Sequence, residues 1–236
     1  MELRDSVALV TGAGRGIGRA IAVALAREGA HVGLMGLTHG HLLAVEKEVS
    51  ALGVKCAVLT GDVSDEGSVS RCVVAAEQQL GPIDVLVNNA GVYAHGPVDH
   101  LDALVFDHTI AVNLRGPFLM ARAVLPGMKR RRRGHVVNIA STAARRGFAG
   151  GAAYCASKAG LAGLSEAILY EARTHDVRVT CVFPSTVATD MARRGEFLKD
   201  AAKAIRPEDV ADAVVGLLRL DARVLPTSLE LWQTNP

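Results

Sequence analysis

The sequence predicts an α/β fold: one doubly wound parallel sheet with helices on both faces, three layers α/β/α, in a single domain. Three observations predict it. Short apolar, β-branched runs alternate with helical periodicity from end to end. Those runs hold few polar residues, as strands buried on two faces do. Half of the 236 residues (50%) are hydrophobic, enough to cover a sheet on both sides.

The strand-like runs are Val7–Val10, His31–Met35, Lys55–Thr60, Ile83–Val87, His135–Ile139 and Val177–Phe183, with a final strand at Leu229–Trp232. The first ends in Thr11-Gly12-Ala13-Gly14-Arg15-Gly16-Ile17-Gly18, and a helix follows at once. Glycines let the chain turn tightly and bring backbone N–H groups close to a pyrophosphate at a helix N-terminus. The second helix carries Leu42, Val45, Val49 and Leu52 on one face and Glu46, Lys47 and Glu48 on the other, with Thr38 as its expected N-cap. Gly29 and Gly53 stand where left-handed C-caps belong. The stretch from Met191 to Ile205 is Ala-rich and helix-like, and is placed where a lid over a substrate would sit.

Composition narrows the function. Aromatic residues are 4%, so the core is built from Ala, Val, Leu and Ile. The net charge of +2 gives no ground for a nucleic-acid or membrane partner. Cys56, Cys72, Cys155 and Cys181 show no metal-ligand spacing, His39 and His41 lack a completing ligand set, and no metal is expected. Without a secretory signal or a bilayer-length apolar run, a cytoplasmic protein is expected.

Tyr154 and Lys158 are four apart on a predicted helix and therefore share a face. An ammonium beside a phenol lowers the phenol's pKa towards neutrality, which suits general acid/base work. Cys155 is turned about 100 degrees from Tyr154 and is expected to face away from it as a packing residue.

The glycine loop, Asp62-Val63, Asn88-Asn89-Ala90-Gly91, Asn113, Ser141 and Tyr154-Cys155-Ala156-Ser157-Lys158 together resemble the short-chain dehydrogenase/reductase family, in order from Leu9 to about Met191. Arg206-Pro207-Glu208-Asp209-Val210-Ala211 resembles that family's start of a late helix. The resemblance implies a Rossmann-type domain over the whole chain. Its nucleotide-binding half spans about 1–92, its catalytic half about 93–236, with a short lid at about 190–206. It implies hydride transfer between a nicotinamide cofactor and a carbonyl or secondary alcohol, possible substrates including 3-oxoacyl thioesters linked to a carrier or coenzyme A. The implied roles are Tyr154 as general acid/base, Lys158 lowering its pKa and binding the nicotinamide ribose, Ser141 stabilising the substrate oxygen, and Asn113 supporting a proton relay. The implied cofactor contacts are Gly12, Arg15, Gly16, Ile17, Gly18, Asp62, Val63, Asn89, Ala90, Gly91, Tyr154, Lys158, Pro184, Val187 and Thr189. Ser185 departs from the glycine usual in the segment Pro184–Met191.

Gly36 lies eighteen residues past Gly18, where an NAD-binding relative carries a ribose-binding acid. Without the acid, and with Arg15 in the glycine loop, NADP(H) is expected over NAD(H); Thr38 or His39 could add a bond to the 2′-phosphate. The arginine that many NADP-binding relatives carry after this strand is replaced by Leu37. The basic run Lys129–Arg133 is expected to be a solvated helix end, with docking of an acidic carrier protein, helped by Arg173, as the alternative. Arg145 and Arg146 either attract an acidic substrate or stay solvated. A homodimer through the helices carrying Asn113 and Tyr154 is expected, with a tetramer as the alternative. A catalytically silent nucleotide-binding regulator is the rival function, and the intact set of Asn113, Ser141, Tyr154 and Lys158 argues against it.

Overall fold

A computed structural model describes residues 2–195, 198 and 200–234, excepting the side chain of Arg194. Seven strands form one parallel sheet: β1 (Val7–Thr11), β2 (His31–Gly36), β3 (Cys56–Thr60), β4 (Val85–Asn88), β5 (Gly134–Ile139), β6 (Val177–Pro184) and β7 (Ser228–Leu231). Their order across the sheet is β3-β2-β1-β4-β5-β6-β7. The chain runs outward from β1 in one direction and then, after β3, in the other. The crevice where the order reverses, at the carboxyl ends of β1 and β4, is where such sheets bind ligands.

Alternate residues of each strand feed different layers, because successive side chains point to opposite faces. Leu9, Leu86, Val136 and Val179 pack with α3 (Glu66–Leu80), α5 (Gly116–Arg131) and α6 (Ala152–Ala172). Ala8, Val10, Val85, Val137 and Val182 pack with α1 (Gly16–Arg27), α2 (His39–Ser50) and α8 (Pro207–Arg219). Burying such a Leu or Val stabilises by roughly 1.5–3 kcal/mol.

Local expectations hold with instructive exceptions. Gly29 and Gly53 take φ of +85° and +81°, as left-handed caps do. Leu42, Val45 and Val49 are buried, but α2 ends at Ser50 and Leu52 is 42% exposed in the turn beyond it. Thr38 occupies the N-cap of α2, yet its hydroxyl caps nothing. The helix expected over Met191–Ile205 is cut short: α7 spans only Asp190–Arg194 and stops at Gly195. Further on, the Asp200 carboxylate takes the N–H of Ala202 at 2.9 Å, and Ile205 bridges to Val187 as a strand residue. Both choices favour a turn over helix. Glu196, Phe197 and Lys199, inside that expected helix, lie outside the described residues. Helix α8 starts as expected, with the Asp209 carboxylate accepting the N–H of Arg206 at 2.8 Å.

The basic run is an exposed helix end, as expected, and three of its five residues also pair within the protein. Arg131 donates to the Ile83 carbonyl and lies 3.9 Å from Asp84. Arg133 reaches Asp84 at 3.3 Å, and Arg132 pairs with Asp176 at 2.6 Å. Among the described residues no helix is long and apolar enough to cross a membrane.

Candidate active site

The glycine loop is built by close approach. A Cβ on Gly12, whose φ is +62°, would lie 2.9 Å from the Ala90 Cα. On Gly18 it would lie 2.3 Å from the Gly12 carbonyl oxygen, so neither position admits a side chain. Asn89 ties the loop down: its amide donates to the carbonyls of Thr11 at 3.0 Å and Gly12 at 3.2 Å. Thr11 Oγ1 in turn accepts the N–H groups of Asn89 and Ala90 at 3.0 and 3.1 Å. Two loops at the switch point are thereby locked together, with the glycine-rich backbone facing open space.

One cleft runs from this loop to the carboxyl ends of β4 and β5. Of the expected cofactor contacts, Gly12, Arg15, Gly16, Ile17, Asp62, Val63, Asn89, Ala90, Gly91, Tyr154, Lys158 and Thr189 line it. Gly18, Pro184 and Val187 do not: Gly18 packs behind the loop, Pro184 is buried at the end of β6, and Val187 is 5% exposed. Asp62 has one carboxylate oxygen engaged by the N–H and hydroxyl of Ser64. Thr189 Oγ1 accepts the N–H of Ala192, capping α7. Arg15 stands 3.9 Å from Asp190, both exposed, so the glycine loop and the start of the lid face each other across the opening.

Around the end of β2 the cleft is lined by Gly36, Leu37, Thr38 and His41. No acid replaces the missing one. His39 is turned aside, its Nδ1 3.0 Å from Thr60 Oγ1. His41, which the sequence pattern did not single out for this role, lies beside the glycine loop: a Cβ on Gly14 would come 2.8 Å from its own Cβ. The pairing of a bare Gly14 with a histidine in the first turn of α2 was the signal available in the sequence.

Tyr154 and Lys158 sit on one face of α6, with Lys158 Nζ 5.8 Å from the Tyr154 ring centroid. The Lys158 ammonium donates to the Ile139 carbonyl at 2.8 Å. Ser141 begins a single 3₁₀ turn (Thr142–Ala144), its hydroxyl accepting the N–H of Ala143 at 3.1 Å. Counting protein groups alone, burial pushes the Tyr154 phenol up to about 12, and its hydrogen bond with Ser141 only partly offsets this. Burial likewise pushes Lys158 down to about 8. Each shift is led by desolvation, which disfavours the charged form of either group.

Asn113 lies in a five-residue π-helical segment (Ala111–Arg115) between α4 (Ala103–Ile110) and α5. The wider turn interrupts the regular ladder, a feature common at functional sites. Its side chain is wholly buried and fully used. Oδ1 accepts the Val92 N–H at 2.8 Å, while Nδ2 donates to the Val92 carbonyl at 2.9 Å and to Ser157 Oγ at 3.0 Å. Ser157 passes the connection on to the Tyr154 carbonyl at 2.7 Å. The amide thus fixes the loop after β4 against the helix bearing Tyr154.

Tyr93 and His95, which directly follow Gly91-Val92, wall the opening near the reacting end. The Tyr93 ring meets Tyr154 edge-on at 5.3 Å. Burial raises the Tyr93 phenol, helped by the thiol of Cys155. Arg145 lies 4.5 Å over the Phe183 ring and 3.6 Å from Glu230, and Arg146 lies 5.5 Å over Trp232. Both arginines clasp the C-terminal segment rather than stand free.

The family model described as short chain dehydrogenase matches residues 6–196. Sepiapterin reductase of Chlorobaculum tepidum is 38% identical over 97% of this chain and 96% of its own. Glycine betaine reductase ATRR of Emericella nidulans is 39% identical over 92% of this chain, which spans only 18% of that protein's length. Among solved structures, a metagenomic short-chain oxidoreductase in complex with NADP superposes with a TM-score of 0.86, at 37% identity, over 98% of this chain and 99% of its own.

Proposed function

The chain belongs to the short-chain dehydrogenase family of oxidoreductases, and from that premise we propose that it transfers hydride between NADP(H) and a carbonyl or secondary alcohol. The observation that carries the proposal is the convergence of Tyr154, Lys158 and the Ser141 hydroxyl beside a glycine cradle that no side chain could fill. The cradle fits a dinucleotide: Gly12, Gly16, Ile17, Asn89 and Ala90 would hold its phosphate and adenosine side, and Lys158 and Thr189 its nicotinamide side. When bound, that cofactor supplies or accepts the hydride.

The side chains do the rest. Tyr154 donates a proton to the carbonyl oxygen in reduction and removes one from the alcohol in oxidation. Ser141 stabilises the negative charge that develops on that oxygen. Lys158, held against the Ile139 carbonyl, places a positive charge behind the phenol, and Asn113 acts as a positioning residue through Val92 and Ser157. Replacing Tyr154 with Phe is expected to abolish carbonyl reduction while NADPH still quenches intrinsic fluorescence on binding. Absence of turnover by the parent protein across a wide panel of ketones and thioesters would sink the assignment.

NADP(H) is the preferred cofactor in this reading. An acid at Gly36 would repel a 2′-phosphate, and Arg15 and His41 line the same cleft, Arg15 facing Asp190 at 3.9 Å. Arg15→Ala is expected to weaken NADPH binding at least tenfold and NADH binding less than twofold. A carrier-linked substrate finds less support, since Arg131, Arg132 and Arg133 already pair with Asp84 and Asp176. A homodimer is proposed through the exposed apolar side chains Leu104, Val105, Phe106, Phe118 and Tyr170 on α4, α5 and α6, and sedimentation equilibrium tests it.

A further inference from the structure

We infer that Arg115 is a positioning residue that ties the adenosine end of the cleft to the helix bearing Tyr154, so that filling that end alone orders the reacting end. The inference rests on the proposed cofactor cleft and goes beyond it by assigning a residue that does not line it. In that reading Tyr154 and Lys158, on the helix after β5, mark the nicotinamide end. The adenosine end then falls across the switch point, towards β3. There the cleft is lined by Gly61, Asp62 and Val63, which follow β3, and by Val112. The loop after β3 is closed on itself. Its Asp62 carboxylate takes the N–H and hydroxyl of Ser64, and the Asp62 N–H donates to Ser68 Oγ at 2.9 Å.

The Ser64 carbonyl of this loop accepts the Arg115 guanidinium. Gly116, the next residue, meets the same loop. A Cβ there would lie 2.9 Å from Val63 Cγ2 and 3.3 Å from the Val63 carbonyl oxygen, so a side chain would push the loop away. Arg115 also ends the π-helical turn Ala111–Arg115, which carries Val112 and Asn113. One turn of chain therefore reaches both ends of the cleft. Val112 lines the adenosine end, while Asn113 holds both polar groups of Val92 and, through Ser157, the Tyr154 carbonyl. Gly91 fills the junction: a Cβ there would lie 3.3 Å from Asn113 Oδ1 and 3.7 Å from Lys158 Nζ. An interior packed this closely has no slack, so a shift of the π turn passes to Val92 and α6 instead of being absorbed. The Val63 contact is apolar and non-directional, whereas an ionised donor makes a stronger, directional bond. That bond is what makes the loop after β3 and the π turn move as one piece. Arg115 is exposed, so its replacement cuts the tie without opening a cavity in the core.

The test uses adenosine 2′,5′-bisphosphate, with ADP in parallel, because neither carries a nicotinamide, and reads amide hydrogen exchange by mass spectrometry at saturating ligand. In the parent protein, exchange should slow about tenfold both in 61–66 and in 152–158. In Arg115→Ala the slowing should persist in 61–66 and shrink below about twofold in 152–158. Arg115→Lys, which keeps a donor, should restore part of it. With the ketone of the panel that is turned over fastest, kcat should fall about fivefold in Arg115→Ala while KM for NADPH stays nearly constant. Slowing confined to 61–66 in the parent, or lost equally from both segments in Arg115→Ala, overturns the inference and leaves the cofactor cleft standing. No slowing in 61–66 of the parent with either nucleotide overturns both.

Discussion

Replacing Lys158 with Met removes an ammonium that the fold holds in an almost fully buried place, 4% exposed. Burial lowers the Lys158 pKa from 10.5 to about 8. At 1.36 kcal/mol for each pH unit of displacement, keeping this group charged costs the folded state about 3 kcal/mol at neutral pH. The sign follows from proton counting. Between about pH 8 and 10.5 the unfolded chain binds more protons at this site than the folded one, so stability rises with pH across that window. The Met variant lacks the dependence, but it leaves the Ile139 carbonyl without its donor, which costs about 1 kcal/mol at every pH. The variant should therefore be more stable than the parent by about 2 kcal/mol at pH 7.5, with the advantage gone by pH 10. Urea unfolding at those two pH values measures it. Tyr154, raised to about 12, titrates with the opposite sign only above pH 10 and stays outside the comparison. Parallel stability curves for parent and variant would refute the claim that desolvation governs Lys158.

Three further outcomes are expected. With the Tyr154 phenol held high by burial, carbonyl reduction should be flat from pH 6 to 8, whereas alcohol oxidation should climb several-fold, roughly tenfold at most per pH unit, over the same range; matched initial-rate profiles in both directions check it. His135 is wholly buried beside the Arg178 cation, and burial holds its pKa well below 6.5, so stability should fall as pH drops below 6.5, and His135→Gln should flatten that fall in urea titrations at pH 7 and 5. Asp84→Ala strips the partner from the Val7 N–H, bonded at 3.2 Å, and from Arg131 and Arg133, and should cost roughly 1–3 kcal/mol in the same assay without changing NADPH affinity.

What could be read from the sequence follows the range of the forces involved. Strand positions were legible because burial on two faces leaves a local mark, an unbroken apolar run. The four-residue spacing of Tyr154 and Lys158 was legible because a helix converts it directly into a shared face. Their pKa values were not, since desolvation is set by β5 and the loops that close over α6. The pairing of Arg131, Arg132 and Arg133 was equally hidden: Asp84 and Asp176 lie more than forty residues away along the chain and meet these arginines only once the sheet has formed. The expected lid helix failed for a local reason that Ala-rich composition masked, namely Gly195 and the turn closed by Asp200.

The cofactor end shows how one missing side chain reshapes a site. Gly36 removes the acid that would compete for the ribose, and its bare backbone lets Leu42 of α2 approach, 3.3 Å from where a Cβ would be. Gly14 does the same from the opposite side, admitting the first turn of α2 almost to contact at His41. The two glycines therefore act together: both allow α2 to lie close over the cleft, and that closeness brings an imidazole to the space an acidic residue would otherwise command. Arg15 cannot fill that space alone, because Asp190 draws on its charge from the other edge. In the proposed NADP(H) reading, selectivity for a phosphorylated ribose would therefore depend on the position of a helix as much as on any single cation, which the residue pattern after β2, read by itself, does not reveal.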